Sequence, residues 1–185
     1  VGSVENTIQS FTPNGKVVYS SNYGGDFKTF KYNACAGPQV KQDTLYSANV
    51  ADIIDGVWNG YHGTVLAYGQ TGSGKTYTMR GPPLASNTSS SYGGDEMPPD
   101  AGLIPRALKD LFERADKLED SGDATFTISY LQIYCEMLHD MLSTSDAAAE
   151  GGSLPLSIRE KSGRVYVENL TSIPVKSVEE SLSIL

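Results

Sequence analysis

The sequence predicts an α/β fold arranged around a phosphate-binding loop. Three features follow one another between residues 63 and 79: a short apolar run, a glycine-rich turn and a segment with helical character. The apolar run Val65–Tyr68 predicts a central strand buried on both faces. The glycine-rich turn comes directly after it, and the carboxyl ends of parallel strands are where α/β sheets bind ligands.

The glycine-rich turn fits the phosphate-loop pattern of glycine, four residues, glycine, lysine, then serine or threonine, through Gly69, Gly74, Lys75 and Thr76. We expect Gly69, Gly72 and Gly74 to adopt positive φ and turn backbone amides inward around an anion. A helix N-terminus at Lys75 would favour the same negative charge. Lys75 would reach the β- and γ-phosphates, and the Thr76 hydroxyl would be one Mg²⁺ ligand. The alternative is a strand-to-helix turn that binds nothing.

The residues inside the loop narrow the class of protein. Between the outer glycines lie Gln70, Thr71, Gly72 and Ser73. The run Tyr61–Met79 closely resembles the kinesin motor domain, whose hallmark is Ala-Tyr-Gly-Gln-Thr-Gly-Ser-Gly-Lys-Thr followed by Thr-Met. Myosins and small GTPases carry other residues at these positions. The resemblance implies ATP or ADP with Mg²⁺ bound by residues 69–76, and it places Tyr77 where the family often has a ring against the base. Simple packing of Tyr77 is the alternative.

Composition limits the compartment and the partners. With 185 residues the chain is long enough for one domain with a sizeable core. A net charge of −8 argues against a nucleic-acid partner, and it does not favour an acidic microtubule surface unless positive charge is clustered. Nothing resembles a secretory signal or a membrane span, so no membrane partner is expected. Cys35 and Cys135 are too few for a disulfide framework, which favours a reducing intracellular home, with Cys135 as a packed side chain.

The segments before the loop predict two strands and one helix. Lys16–Ser20 and Phe27–Tyr32 are rich in β-branched and aromatic residues, which is typical of strands. Asp43 is expected to cap a helix that ends near Trp58. The apolar stripe of this helix consists of Tyr46, Val50, Ile53, Ile54 and Val57.

The segments after the loop predict an insertion and a second helix. Residues 81–102 are rich in proline, serine and glycine, which predicts a long loop. The resemblance places this loop at a kinesin surface insertion beside the nucleotide pocket; a solvated loop with no role of its own is the alternative. Pro105 suits the first turn of a helix. The apolar stripe of that helix consists of Leu108, Leu111, Phe112, Ala115 and Leu118.

The segment from 125 to 142 predicts a strand and a short helix. Thr125–Tyr134 has strand character and Glu136–Leu142 has helical spacing. Together they resemble a kinesin pattern of tyrosine, two residues, isoleucine-tyrosine-asparagine-glutamate, three residues, aspartate-leucine-leucine. The matching residues are Tyr130, Ile133, Tyr134, Glu136, Asp140 and Leu142. His139 is expected to be exposed.

A basic cluster follows a stretch without lysine or arginine that runs from 118 to 158. Leu156–Glu160 and Arg164–Glu168 predict a hairpin that turns at residues 162–163. The resemblance puts this hairpin in the tubulin-facing lobe of kinesins, and the candidate microtubule contacts on it are Arg159, Lys161 and Arg164. A solvated charged hairpin is the alternative. Ser177 and Glu180 then form a capping box for a last helix.

The resemblance extends from about Phe27 to Leu185 and sets the overall expectation. It implies a three-layer P-loop NTPase fold, with a central mixed β-sheet and helices on both faces. Residues 1–185 are then expected to be the amino-proximal part of a motor domain, without the first adenine-contact strand and both switch segments. No catalytic residue is assigned within the chain, and the chain alone should hydrolyse ATP poorly.

At the level of the parent protein, the resemblance implies an ATP-driven microtubule motor of the cytoplasmic cytoskeleton. A catalytically silent kinesin-like module that binds microtubules or another partner is the alternative. An unrelated phosphate-loop kinase or transporter ATPase would need a second acidic motif for Mg²⁺, which the sequence does not show. Subfamily, direction of movement, cargo and oligomeric state lie outside these residues.

Overall fold

A computed structural model describes residues 8–11, 16–20, 27–82, 97–118, 124–143 and 155–185. The strands are β1 (Ile8–Phe11), β2 (Lys16–Ser20), β3 (Phe27–Lys31), β4 (Phe126–Ile128), β5 (Leu131–Tyr134), β6 (Met137–Asp140), β7 (Ser157–Lys161), β8 (Arg164–Glu168) and β9 (Ile173–Val175). The helices are α1 (Gln42–Asn49), α2 (Ala51–Trp58), α3 (Lys75–Arg80), α4 (Leu103–Ala115) and α5 (Val178–Ile184).

The strands form four small antiparallel sheets. β1, β2 and β3 make a three-stranded sheet, while β4 pairs with β9, β5 with β6 and β7 with β8. The strands predicted at 16–20 and 27–32 are confirmed, with β3 ending one residue early, and β1 was not predicted. Among the described residues the strands are not joined into one mixed sheet, so the three-layer arrangement stays an expectation from the sequence resemblance.

The single helix predicted from Asp43 to Trp58 is two helices. They meet at Val50, whose carbonyl accepts hydrogen bonds from the amides of both Ile53 and Ile54. The capping prediction is also wrong, because Lys41 occupies the N-cap and Asp43 lies within the first turn of α1. The Asp43 carboxylate instead accepts a hydrogen bond from the amide of the next residue, at 2.5 Å.

The helices enclose the main apolar cluster of the described part of the chain. Its buried members are Val50 and Ile54 from the first helix pair and Leu103 from α4. The partly buried side chains packed against them are Leu45, Tyr46, Met79, Ala107 and Leu111. Because Met79 belongs to α3, this cluster ties the helix that follows the glycine-rich turn to α1, α2 and α4.

Helix α4 begins as predicted, with Pro105 in its first turn and fully buried. Its apolar stripe is shorter than expected, since the helix ends at Ala115 and Leu118 lies beyond it, 37% exposed. The ring of Phe112 packs against that of Phe126, with centroids 4.6 Å apart, which attaches β4 to α4. Of the helices described here, none is both long and apolar enough to cross a bilayer.

The run Val65–Tyr68 is not the buried central strand that its apolar composition predicted. It belongs to none of the four sheets, and Leu66 and Tyr68 are 84% and 95% exposed. A strand buried on both faces needs a paired neighbour and a covering layer, and the described residues supply neither to this run. The run leaves α2 through Gly63, where a Cβ would lie only 2.6 Å from the Ile53 Cγ2 atom.

The segment from 125 to 142 differs most from expectation. The predicted single strand is broken after Ile128, and the predicted helix Glu136–Leu142 is instead strand β6, paired antiparallel with β5. The turn between β5 and β6 consists of Cys135 and Glu136, at φ of 48° and 65°. Two consecutive positive φ values define a tight hairpin turn and interrupt a right-handed helix. At this turn Cys135 is exposed, so its predicted packing is wrong. The expected exposure of His139 is also wrong, because its side chain is half-buried in β6.

The predicted carboxyl-terminal hairpin, its turn and the last helix with Ser177 as its cap are confirmed. β7 and β8 form a hairpin that turns at Ser162 and Gly163, both at positive φ. Helix α5 has Ser177 as its N-cap, and the Ser177 Oγ atom accepts a hydrogen bond from the Glu180 amide at 3.1 Å. The Glu180 carboxylate reaches back one residue further than in a capping box and accepts from the Lys176 amide at 2.7 Å, not from the amide of Ser177 itself, so only the Ser177 half of the predicted capping box is formed.

Candidate functional site

The glycine-rich turn has the backbone shape of an anion-binding loop. Gly72 and Gly74 have φ of 81° and 90°, a region that residues with a Cβ rarely adopt. Gly69 does not have the expected positive φ; a Cβ there would collide with the Ser73 hydroxyl oxygen, which can rotate away, and would lie 3.1 Å from the Ser73 Cβ. The Ser73 amide donates to the carbonyl of Gln70 at 3.2 Å, which closes the turn.

Lys75 is folded back over the loop. Its ammonium group donates to the backbone carbonyls of Gly69 and Gln70, at 2.7 and 2.8 Å. Two of its three N–H donors therefore link Lys75, at the carboxyl-terminal end of the loop, to the first two residues of the loop. A phosphate at this loop would meet the ammonium at the mouth of the turn rather than at the end of an extended side chain.

Helix α3 starts at Lys75, as predicted. Its first hydrogen bond runs from the Thr78 amide to the Gly74 carbonyl at 2.8 Å, so the amides of Lys75 and Thr76 precede the helical ladder. The Thr76 side chain is exposed and carries a hard oxygen donor of the kind Mg²⁺ prefers. Within the described ranges no cluster of three or more His, Cys, Asp or Glu side chains could hold a metal ion.

Tyr77 lies directly after the loop and is 48% exposed. Its hydroxyl is 3.5 Å from a carboxylate oxygen of Asp100, at the limit of a hydrogen bond. Its backbone carbonyl accepts a hydrogen bond of 2.7 Å from the side-chain amide of Gln42, which is 6% exposed. The Tyr77 side chain is thus accessible to solvent, while its backbone carbonyl is held by the hydrogen bond from Gln42.

The two ends of the loop predicted at 81–102 are in contact. The Gly102 amide donates to the Arg80 carbonyl at 3.3 Å. A Cβ on Gly102 would lie 2.5 Å from the Met79 carbonyl oxygen, and one on Gly81, at φ 95°, would lie 2.8 Å from the Asp100 carbonyl oxygen. Only glycines allow this approach of backbone to backbone. Residues 83–96 of the predicted loop lie outside the described residues.

Arg106 holds the carboxyl-terminal end of the same loop. Its guanidinium donates to the carbonyls of Pro98 and Pro99 at 3.2 and 2.9 Å, and to that of Ala101 at 3.0 Å. These bonds bind the segment next to Asp100 to the first turns of α4, and Asp100 is the residue that approaches the Tyr77 hydroxyl.

An ionic network joins α1, α2 and α4. Arg114 pairs with Asp110 at 2.6 Å and with Asp55 at 2.5 Å, and the Tyr46 hydroxyl donates to Asp110 at 2.8 Å. Burial opposes ionisation of Asp110, but the hydrogen bonds from Arg114 and Tyr46 outweigh it and hold the pKa of this carboxyl below its usual value. Burial, followed by the bond to Asp110, raises the pKa of Tyr46. The network therefore stays ionic at Asp110 and neutral at Tyr46 near pH 7.

The basic candidates come together on one face of the hairpin β7–β8. Arg159 faces Tyr166 and Lys161 faces Arg164 across the strands, so the alternation of side chains puts all four on the same side. Glu168 lies on this face too and pairs with Arg159 at 3.0 Å, with both side chains about half exposed. Three cations against one anion leave the face positive in a chain whose net charge is −8.

Three residues with contacts in this region, Gln42, Asp100 and Arg106, are not marked by any sequence pattern. Gln42 and Arg106 act through backbone carbonyls far along the chain or in a loop, and no local pattern marks such contacts. Asp100 lies in the proline-rich segment that was interpreted only as a loop. Gly81 and Gly102, at the two ends of that loop, were the sequence signal that its ends approach each other.

The sequence pattern, the two glycines at positive φ and the helix that starts at Lys75 define a phosphate-loop protein. Within that class, residues 3–185 match the family described as the kinesin motor domain, and the chain belongs to this family.

Curated relatives agree with this assignment. The chain is 40% identical over 163 residues to Kinesin-like protein Klp61F of Drosophila melanogaster, and 39% identical over 163 residues to Chromosome-associated kinesin KIF4 of Gallus gallus. It is 35% identical over 161 residues to Kinesin-like protein KIN-5A of Arabidopsis thaliana. These alignments cover 85%, 87% and 85% of the chain, but only 14%, 12% and 15% of the relatives. The chain thus spans a small part of the length of the proteins it matches.

Proposed function

We propose that this chain carries the nucleotide site of a microtubule-dependent ATPase motor. The observation that supports this most directly is the loop from Gly69 to Thr76, which combines the family's residues with a backbone turned by Gly72 and Gly74 into the start of α3. The ligand is ATP or ADP together with Mg²⁺. In the intact protein, binding at this loop is coupled to microtubule binding.

Each part of the loop has a separate task in this proposal. The backbone amides of the loop other than that of Ser73, which closes the turn, surround the phosphates, and the side chains of Gln70, Thr71 and Ser73 are exposed around them. Lys75 exchanges its bonds to two loop carbonyls for bonds to phosphate oxygens. The Thr76 hydroxyl is the protein ligand for Mg²⁺, which supplies charge neutralisation at those oxygens. The exposed ring of Tyr77 flanks the base.

Residues 1–185 form part of a motor domain in this proposal, and no residue of the chain is assigned to the hydrolysis step. Residues 81–102 form a surface insertion next to the nucleotide. The contact between Gly81 and the 100–102 segment supports this, because an insertion whose ends meet leaves the flanking helices undisturbed. Through the Tyr77 hydroxyl and Asp100, the insertion reaches the side of the loop where the base would lie.

The positive face of the hairpin β7–β8 is the proposed contact with tubulin. Arg159, Lys161 and Arg164 lie together there, and local positive charge is what an otherwise acidic chain needs to approach an acidic filament. This function would place the parent protein in the cytoplasm, on the microtubule cytoskeleton.

Titration calorimetry of the 185-residue chain with Mg·ADP tests the nucleotide site. Removal of a charged hydrogen-bond donor costs about 1.5–3 kcal/mol, so Lys75→Ala should weaken binding by about tenfold or more. Arg80→Ala removes the same charge from the exposed end of α3 and should leave the affinity within about twofold. Equal affinities of Lys75→Ala and the wild-type chain would refute the site.

Co-sedimentation with microtubules at low salt tests the tubulin face. Replacing all three hairpin cations by alanine should reduce the bound fraction, and the loss should be largest at low ionic strength. The matched control removes three exposed cations elsewhere, Lys41, Arg80 and Lys176. Equal reductions in both triple variants would mean that net charge alone drives the association. Binding that Mg·ADP does not alter would favour the catalytically silent module.

A further inference from the structure

Gln42 is a buried polar side chain with a partner far along the sequence. It is the first residue of α1, it is 6% exposed, and its side-chain amide donates to the Tyr77 carbonyl of α3 at 2.7 Å. Thirty-five positions separate the two residues. The hydrogen bond satisfies the buried Gln42 amide and at the same time links α1 to α3, on the other side of the glycine-rich turn.

The acceptor of this bond, the Tyr77 carbonyl, also takes part in the backbone hydrogen bonding of α3. The same Tyr77 carbonyl also accepts the Gly81 amide at 2.9 Å, which closes the last turn of the helix. Helix α3 has only six residues, and isolated helices shorter than about 12–15 residues are marginal in water. Its position therefore depends on contacts from other elements, and Gln42 supplies a side-chain hydrogen bond to the middle of the helix.

The helix in turn orients the groups proposed to bind phosphate. Lys75 and Thr76 form its first two positions, and Tyr77 follows immediately. Because these three residues share one turn of helix, a displacement of the Tyr77 backbone moves the Lys75 ammonium and the Thr76 hydroxyl with it.

We propose that Gln42 is a positioning residue for the phosphate loop: its side-chain amide fixes the Tyr77 carbonyl and so holds the first turn of α3, with Lys75 and Thr76, in the phosphate-binding orientation. This proposal rests on the proposed nucleotide site. It assigns to Gln42 no contact with the nucleotide.

The test uses Gln42→Met, which keeps the length of the side chain and removes the donor, in the 185-residue chain. We expect the dissociation constant for Mg·ADP to rise about fivefold, a change that corresponds to about 1 kcal/mol, as for one net hydrogen bond. Amide hydrogen exchange without nucleotide should accelerate at Thr78 and Gly81, whose amides bond to the carbonyls of Gly74 and Tyr77 and so close the first and last turns of α3.

The matched control is Tyr46→Phe, which removes a hydrogen bond of 2.8 Å from the same helix α1 to Asp110. It should lower global stability and leave the Mg·ADP affinity unchanged. Exchange at Thr78 and Gly81 should accelerate no more than exchange in the rest of the chain. If both variants change these quantities equally, Gln42 acts only through general stability and the proposal is wrong.

A second variant, Gln42→Asn, keeps a polar amide in the buried position but shortens it by one methylene, which takes the donor out of reach of a carbonyl now 2.7 Å away. If Gln42→Met fails to fold, Gln42→Asn replaces it in the test and should show the same rise in the dissociation constant and the same faster exchange at Thr78 and Gly81. Wild-type affinity and wild-type exchange in either variant would overturn the proposal. Failure of the wild-type chain to bind Mg·ADP would refute the nucleotide site instead, while the exchange at Thr78 and Gly81 still decides whether Gln42 holds α3.

Discussion

Gly102→Ala should disrupt the contact between the end of α3 and the start of α4. A Cβ at this position would lie 2.5 Å from the Met79 carbonyl oxygen and 2.6 Å from the Arg80 nitrogen. Both are backbone atoms, so no side-chain rotation relieves the overlap. To reach 3.4 Å, where ordinary contact begins, the two segments must separate by about 0.9 Å.

The magnitude follows from this displacement. The Gly102 amide is 3.3 Å from the Arg80 carbonyl, and a movement of about 0.9 Å would lengthen that separation to about 4.2 Å, beyond hydrogen bonding. Overpacking costs about 1–3 kcal/mol and a net hydrogen bond about 1 kcal/mol, so we expect a loss of about 2–4 kcal/mol in the free energy of unfolding. Urea denaturation followed by circular dichroism measures it.

Gly56→Ala is the matched control, because it makes the same chemical change inside α2. A Cβ at Gly56 would meet nothing within 4 Å, and its φ is not positive. Alanine is the better helix former, so this variant should be more stable by about 0.5–1 kcal/mol. A loss below about 0.5 kcal/mol for Gly102→Ala, alongside a normal Gly56→Ala response, would refute the proposed contact between the loop ends.

Three further predictions concern the carboxyl-terminal half of the described chain. Ser177→Ala removes the cap that accepts the Glu180 amide and should cost about 1 kcal/mol in urea unfolding, while Ser177→Asp should restore the loss. Burial opposes ionisation of Asp140, but hydrogen bonds, among them one from the Thr171 amide at 2.8 Å, lower its pKa below the ordinary 3.8. Its contribution to stability is therefore present above about pH 4 and lost as the pH falls below that, so the difference in urea midpoint between wild type and Asp140→Asn should shrink between pH 6 and pH 3. Glu136→Gly should raise the free energy of unfolding by about 1 kcal/mol, because Glu136 has φ 65°, which glycine adopts without strain. A decrease of similar size would indicate instead that residues 136–142 form the predicted helix, in which glycine is unfavourable.

Local patterns predicted the parts of the structure that local chemistry determines. The turn at Ser162–Gly163 and the cap at Ser177 each depend on residues within a few positions, and both formed as expected. The same holds for the start of α3 at Lys75, which follows from the glycines before it. At these points the geometry needs no information from the rest of the chain.

The wrong predictions arose where an apolar pattern suits two structures. Glu136–Leu142 has helical spacing, and nothing in Cys135 or Glu136 marks a turn that glycine or asparagine would normally occupy. Pairing of Met137–Asp140 with β5 decides the conformation there. In Val65–Tyr68 the apolar residues suggested burial, but an extended run becomes a sheet strand only when a neighbour pairs with it.

The proposed nucleotide site combines both situations. Its glycines and Lys75 are adjacent in sequence and therefore easily found, but a six-residue helix cannot fix their orientation alone. Three contacts from distant segments do so: the Gln42 amide on the Tyr77 carbonyl, the approach of Gly102 to the Arg80 carbonyl, and the packing of Met79 against the main apolar cluster. The motif thus identifies the chemistry of the loop, while residues outside the motif set its geometry. Substitutions at those outside residues should therefore alter nucleotide affinity without touching the nucleotide.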